Sequence, residues 1–224
     1  MWFLIRIAFV TVCAFCASVH GALFPSTVLN QAIPDGNPSG FAHTLTVSGM
    51  ESQLVSVSVG LNLSGGWNGD LYAYLTHGET LVVLLNRPGR TGAAPFGYGD
   101  STFTITLGTF GTDIHNYQSI GAGSSGAIPN PNYAWSADGR RVDPNTVTDS
   151  SSRNTSLANY AGMNPNGEWT LFFADMSGGS VSTLTGWSLN IEPVPEPVTV
   201  ALCIAGVIFG GFRFVRHFRS RRAG

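Results

Sequence analysis

Hydrophobic positions in the central part of the chain recur with a period of two. Leu54-Val55-Ser56-Val57-Ser58-Val59 alternates, and so does Leu71-Tyr72-Ala73-Tyr74-Leu75. Such alternation turns one row of side chains to a core and the other to water. Short runs of this kind, separated by Gly, Asn and Asp, predict strands at 41–47, 53–63, 70–76, 80–85, 102–107, 169–174 and 186–191. His77-Gly78-Glu79 predicts a tight hairpin between two of them. No segment of the body shows helical spacing. Many short strands with turn punctuation predict an all-β fold, a jelly-roll β-sandwich, with Trp169 and Trp187 in its core.

Residues 108–156 break the alternation. They are rich in Gly, Ser, Asn and Asp and poor in aliphatics. Residues 124–131 and 149–156 read as surface loop, with Tyr117, Tyr133 and Trp135 pinning the segment to the sandwich edge.

The two ends carry a different pattern. Residues 1–21 read as a secretory signal peptide: Arg6 gives the positive start, residues 7–17 an apolar run, and Val19 and Gly21 a small-residue site before Ala22. Residues 198–212 form an apolar run of 15 residues. That is short of the ~20 that span a bilayer, although snorkelling Arg stems extend it into a single transmembrane helix. Three parts result: 1–21, a body at 22–193, and a tail at 194–224.

Charge sharpens the division. Of 224 residues only 11% are charged, and the 11 basic residues are all Arg. Residues 22–197 hold 5 Arg against 13 acids, a balance of −8, whereas the tail beyond holds 5 Arg and no acid. An acidic body excludes an electrostatic nucleic-acid binder, and the basic end should stay cytoplasmic.

The tail reads Val194-Pro195-Glu196-Pro197, then the apolar run, then Arg213, Arg216, Arg219, Arg221 and Arg222. In this order of parts it resembles the PEP-CTERM sorting signal of Gram-negative bacteria. The resemblance implies an exosortase as partner, passage through the inner membrane, and delivery to the cell surface or an extracellular polysaccharide matrix.

The body carries a second resemblance. Gly69-Asp70-Leu71 and Tyr74-Leu75 are followed later by Asn164-Pro165-Asn166-Gly167-Glu168-Trp169-Thr170-Leu171, Asp175, Leu184 and Trp187-Ser188-Leu189-Asn190-Ile191. Across roughly residues 40–191 this is similar to the P domain (P/Homo B domain) found beside subtilisin-like proprotein convertases. The hairpin Thr76-His77-Gly78-Glu79-Thr80 departs from the family's Ser-Pro-x-Gly-Thr. The resemblance implies an eight-stranded jelly roll, and a role as an accessory to a serine protease is one reading it opens.

Candidate chemistry is sparse. Cys13, Cys16 and Cys203 all lie outside the body, so a mature body has no disulfide. No Gly-x-Ser-x-Gly surrounds a serine, and His43, His77 and His115 are scattered, so no catalytic residue is expected. Some P domains bind calcium. Asp70 and Asp175 match motif positions and are the candidate ligands, oxygen donors suiting that ion. For a polysaccharide, aromatic faces with a polar handle suit stacking. Trp67, in a Gly- and Asn-rich turn, is the leading candidate, with Tyr72, Tyr74, Tyr98, Tyr117, Tyr133, Trp135 and Tyr160 behind it. The expectation is a non-catalytic exported surface or matrix protein.

Overall fold

Each of the seven segments with strand-like alternation forms a strand. The computed structural model describes residues 21–25, 28–50, 53–120 and 134–194. Its strands are β1 (Ala22–Pro25), β2 (Gln31–Ala32), β3 (Phe41–Val47), β4 (Leu54–Gly65), β5 (Leu71–His77), β6 (Thr80–Asn86), β7 (Phe103–Gly108), β8 (Thr112–Asp113), β9 (Trp135–Ser136), β10 (Gly167–Asp175) and β11 (Ser182–Pro193). Among the described residues the only helical elements are short 3₁₀ turns, at Asn68–Asp70, Ile114–Ile120 and Leu157–Tyr160. The fold is all-β. Among the described residues no helix is long and apolar enough to cross a membrane. Residues 1–20, within the segment 1–21 expected as a leader, and residues 195–224, with Pro195, Glu196, Pro197 and the five tail arginines, lie outside the described residues.

Two sheets build the body. One runs β1-β11-β4-β7-β9-β8, with β2 also on β11; the other runs β3-β10-β5-β6. Pairing is antiparallel except where β9 joins β7 and β8 in parallel. Inward rows from both sheets meet in one cluster: Val57, Val59 and Leu61 of β4, Leu71 and Leu75 of β5, Trp169, Leu171 and Phe173 of β10, and Trp187, Leu189 and Ile191 of β11. Truncating a buried Trp such as Trp169 to Ala would cost ~3–5 kcal/mol.

β11 shows why strict alternation fails at one point. Its inward residues are Leu184, then Trp187, Leu189 and Ile191. The odd step coincides with a register shift against β4 between Leu184 and Gly186. A bulge there inserts a residue and returns Trp187 to the core side. At the β5–β6 hairpin, His77 pairs with Thr80, leaving Gly78 and Glu79 as the turn. Gly78 has φ +56°, a conformation glycine adopts without a Cβ penalty.

Residues 108–120 and 134–148, expected as an irregular connection pinned to the sandwich by Tyr117 and Trp135, reach deeper than an edge contact. They carry the fully buried Ile114, His115, Tyr117, Asp138 and Val147, together with Trp135 and Arg140 at 2% and 3% exposure. Their polar side chains satisfy one another inside. Residues 149–156 do lie mostly at the surface. Residues 124–131 and Tyr133 fall outside the described residues.

Candidate functional site

The turn after β4 places Trp67 ahead of the 3₁₀ turn Asn68–Asp70, at the end of the sheets where the connection after β10 also arrives. Trp67 is 43% exposed. Its indole packs on the backbone of Gly179, where a Cβ would come within 2.8 Å of the ring. Asp35 fixes that glycine by accepting its N–H at 3.1 Å.

The 3₁₀ turn and the strand ends next to it bury three ionisable groups. Asp70, Arg87 and Asp175 are 2%, 5% and 0% exposed. Arg87 Nη2 donates to Asp70 Oδ1 at 3.1 Å and to Ser177 Oγ at 2.8 Å. The Ser177 N–H in turn donates to Asp175 Oδ1 at 3.1 Å. Arg87 Nε reaches the Gly69 carbonyl at 3.1 Å, and its backbone N–H the Leu71 carbonyl at 2.8 Å. These bonds hold Arg87 at φ +50°, left-handed backbone that costs a non-glycine residue roughly 1 kcal/mol or more.

Burial dominates this cluster. It raises the Asp70 carboxyl against the pull of Ser177 and Arg87, and it lowers the Arg87 guanidinium despite Asp70. Burial lifts Asp175 to about 6, with repulsion from Asp70 and Asp35 added. Asp175 Oδ2 is buried without a well-formed hydrogen bond, and the Gly36 N–H exerts only a weak pull.

The structure places the two expected calcium ligands near one another, with Arg87 paired directly to Asp70 and linked to Asp175 only through Ser177. Among the described residues no group of three or more His, Cys, Asp or Glu is arranged to hold a metal ion. The donor set fits an internal ion pair rather than calcium.

A second buried network lies in the irregular connection between β7 and β10. Asp138 Oδ2 accepts from His115 Nδ1 at 2.9 Å, and Asp138 Oδ1 from Arg140 Nη1 at 3.2 Å. Arg140 also clasps Asp113, with Nη1 to Oδ1 at 3.2 Å and Nη2 to Oδ2 at 2.7 Å. Here pairing wins: burial of Asp113 is overcome by Arg140, and its carboxyl falls below the usual range. The Arg140 guanidinium is raised in turn, its burial outweighed by Asp113 and Asp138.

His115 and Asp138 have the spacing of two members of a hydrolytic triad, yet His115 Nε2 meets the Arg90 carbonyl at 3.1 Å. His77 spends its nitrogens on the Glu168 and Asn164 carbonyls, at 2.9 and 2.8 Å, and stacks on Trp169 with ring centroids 4.0 Å apart. His43 Nδ1 accepts from Trp187 Nε1 at 2.9 Å. The ring nitrogens of His77 and His115 are thus committed to carbonyl and carboxylate oxygens, which leaves neither to activate a hydroxyl.

Of the other candidates, Tyr117, Trp135 and Tyr160 are core, while Tyr72 and Tyr74 are half-buried on the outer side of β5. Sequence reading missed Arg87. Nothing in Asn86-Arg87-Pro88 signals a buried cation, since arginine is an uncommon residue in left-handed backbone. Val194 is 41% exposed just after β11.

No family model matches the chain, and no curated protein matches it. Among solved structures it is similar to a serine protease of Aeromonas sobria in complex with its chaperone, at TM-score 0.41 and 15% identity over 80% of this chain and 27% of that one. The protease solved alone gives TM-score 0.41 and 16% identity over 77% and 26%. The chain spans about a quarter of the length of those proteins.

Proposed function

We propose that this chain is a non-catalytic protein of a Gram-negative cell surface or extracellular matrix, exported through its leader and sorted by an exosortase through its tail. The observation that carries the reading is the order of parts after the body: Pro195-Glu196-Pro197, an apolar run of 15 residues, then five arginines. A body with its own core supports it. Residues Gly21–Pro193 form one compact unit, and β11 ends at Pro193, one residue ahead of Val194. Such a body needs no disulfide to survive outside the cell.

The jelly roll of the P-domain resemblance belongs to the same reading. In its favour, the connections β3–β4, β4–β5, β6–β7 and β10–β11 all pass from one sheet to the other. The committed histidines support a non-catalytic role.

Fractionation of cells producing a body-tagged chain tests the proposal. A shortened band in the envelope or medium is expected for the native sequence. Full-length chain retained in the inner membrane is expected for Glu196→Ala. Native chain that stays full-length in the inner membrane would contradict the reading.

A further inference from the structure

The outer side of the four-stranded sheet joins an aromatic strip to a polar hollow. Alternation sends Tyr72, Tyr74 and Thr76 of β5, and Glu168, Thr170 and Phe172 of β10, to the side opposite Trp169 and Phe173. The register sets Tyr74 beside Phe172 and Thr76 beside Thr170. Tyr74 and Phe172 stack at 4.7 Å and 14°, and Tyr72 meets both edge-on, at 5.9 and 6.5 Å. Next along the strands, Thr76, Gly78, Asn166, Gly167, Glu168 and Thr170 line an open hollow of about 440 Å³. Its walls are low because Gly78 and Gly167 have no side chains. His77 and Asn166 are spent on fixing it: His77 is clamped to the Asn164 and Glu168 carbonyls, and Asn166 exchanges bonds with the Met50 backbone at 3.0 and 2.6 Å. The hollow is a preformed feature, as small-ligand sites usually are.

The geometry points to a neutral saccharide chain lying along β5 and β10, its C–H faces against Tyr72, Tyr74 and Phe172 and its hydroxyls in the hollow. Aromatic side chains present a negative ring face that attracts C–H groups, and tyrosine adds a polar handle. Thr76 Oγ1 donates to the Thr170 carbonyl at 3.5 Å and Thr170 Oγ1 pairs with Thr44 Oγ1 at 2.8 Å, so the hydroxyl oxygens and the Glu168 carboxylate chiefly offer acceptors, which suits the hydroxyl donors of a sugar. Charge selects among saccharides. Glu168 is exposed in the hollow, so a uronic-acid polymer meets repulsion there where a neutral one meets an acceptor, while the exposed Arg141 acts on Tyr72 at the other end of the strip. The strip from Tyr72 to Thr76 runs about 13 Å along the strand, room for a short oligosaccharide. Binding is a property of the body and does not depend on the sorting reading, which bears only on where the ligand is met.

Affinity electrophoresis of the purified full-length chain tests this, in gels containing a soluble β-glucan, a mannan, a galactan or alginate. Retardation by at least one of the three neutral polymers and not by alginate is expected. Tyr74→Ala with Phe172→Ala should weaken it at least tenfold. Thr170→Arg, an outward substitution that fills the hollow without touching the core and gives up only the bond to Thr44, should do the same with little change in Tm. The inference is overturned by mobility unaffected in all three neutral gels, by retardation in alginate alone, or by native binding in Thr170→Arg.

Discussion

Two buried charge clusters in one small body behave in opposite ways. Around Asp113 and Asp138, each carboxylate meets a guanidinium or an imidazolyl N–H, and pairing outweighs burial for both Asp113 and Arg140. Around Asp70 and Asp175, only Asp70 bonds the guanidinium of Arg87, Asp175 and Asp35 add mutual repulsion, and burial wins for Asp70, Arg87 and Asp175 alike. The chemistry of the groups is the same. The difference is the number of donors per carboxylate, because only good geometry and filled lone pairs repay desolvation. The first cluster braces the long segment between β7 and β10, whereas the second lies at the 3₁₀ turn after the exposed Trp67 and stores a cost there.

Breaking the paired cluster should have the largest effect. Arg140→Ala strands Asp113 and Asp138 together inside the body, at a cost of about 3–5 kcal/mol. For a body of this size that is a fall in Tm of roughly 10 °C, readable by calorimetry. A fall of only a degree or two would mean that the network is dispensable.

The second cluster should show in the pH profile. The folded Asp175 lies at about 6 against an ordinary 3.8, so between those values the folded state holds more protons than the unfolded one. Stability attributable to Asp175 is then full below about pH 4 and is lost as pH rises to about 6, by up to roughly 3 kcal/mol. Asp175→Asn should flatten that slope in chemical denaturation. Asp113 has the opposite sign: its lowered value gives stability that is present above the ordinary carboxylate range and lost as pH falls below it.

Arg87→Ala comes next, at about 2 kcal/mol at neutral pH, less than a broken pair usually costs because Asp70 can take up a proton. The loss should therefore be smaller at pH 5 than at pH 8; an equal loss at both would separate Arg87 from the carboxylates. The smallest effect is expected from calcium. With Arg87 supplying the positive charge, millimolar Ca²⁺ should move Tm by less than about 1 °C, against the gain a ligand at many times its Kd would give.

The sheets were legible in the sequence because alternation is a direct image of a half-buried strand. Residues 41–47 match β3 in full, and Trp169 and Trp187 lie where their patterns put them. The bulge in β11 was not legible, since a single inserted residue leaves no compositional trace. Short β1, β2, β8 and β9 were missed for a related reason: two to four residues are too few to show a period. In the connection after β7, Tyr117 and Trp135 marked contact with the fold, but the depth of burial was not legible. An aspartate in water and an aspartate clasped by Arg140 are the same letter, and only tertiary pairing separates them. At the candidate site, the exposure of Trp67 was legible from its Gly- and Asn-rich turn, but the Arg87 that pairs with Asp70 was not. Phe172 could have been found, since Trp169-Thr170-Leu171-Phe172-Phe173 places it opposite the two residues it neighbours in composition.

The most direct measurement of the sorting account is the intact mass of the mature protein recovered outside the inner membrane of the producing cell. The account predicts a chain that begins near Ala22 and ends at or close to Val194-Pro195-Glu196-Pro197, without the five tail arginines. A mass that includes everything through Gly224 would contradict it.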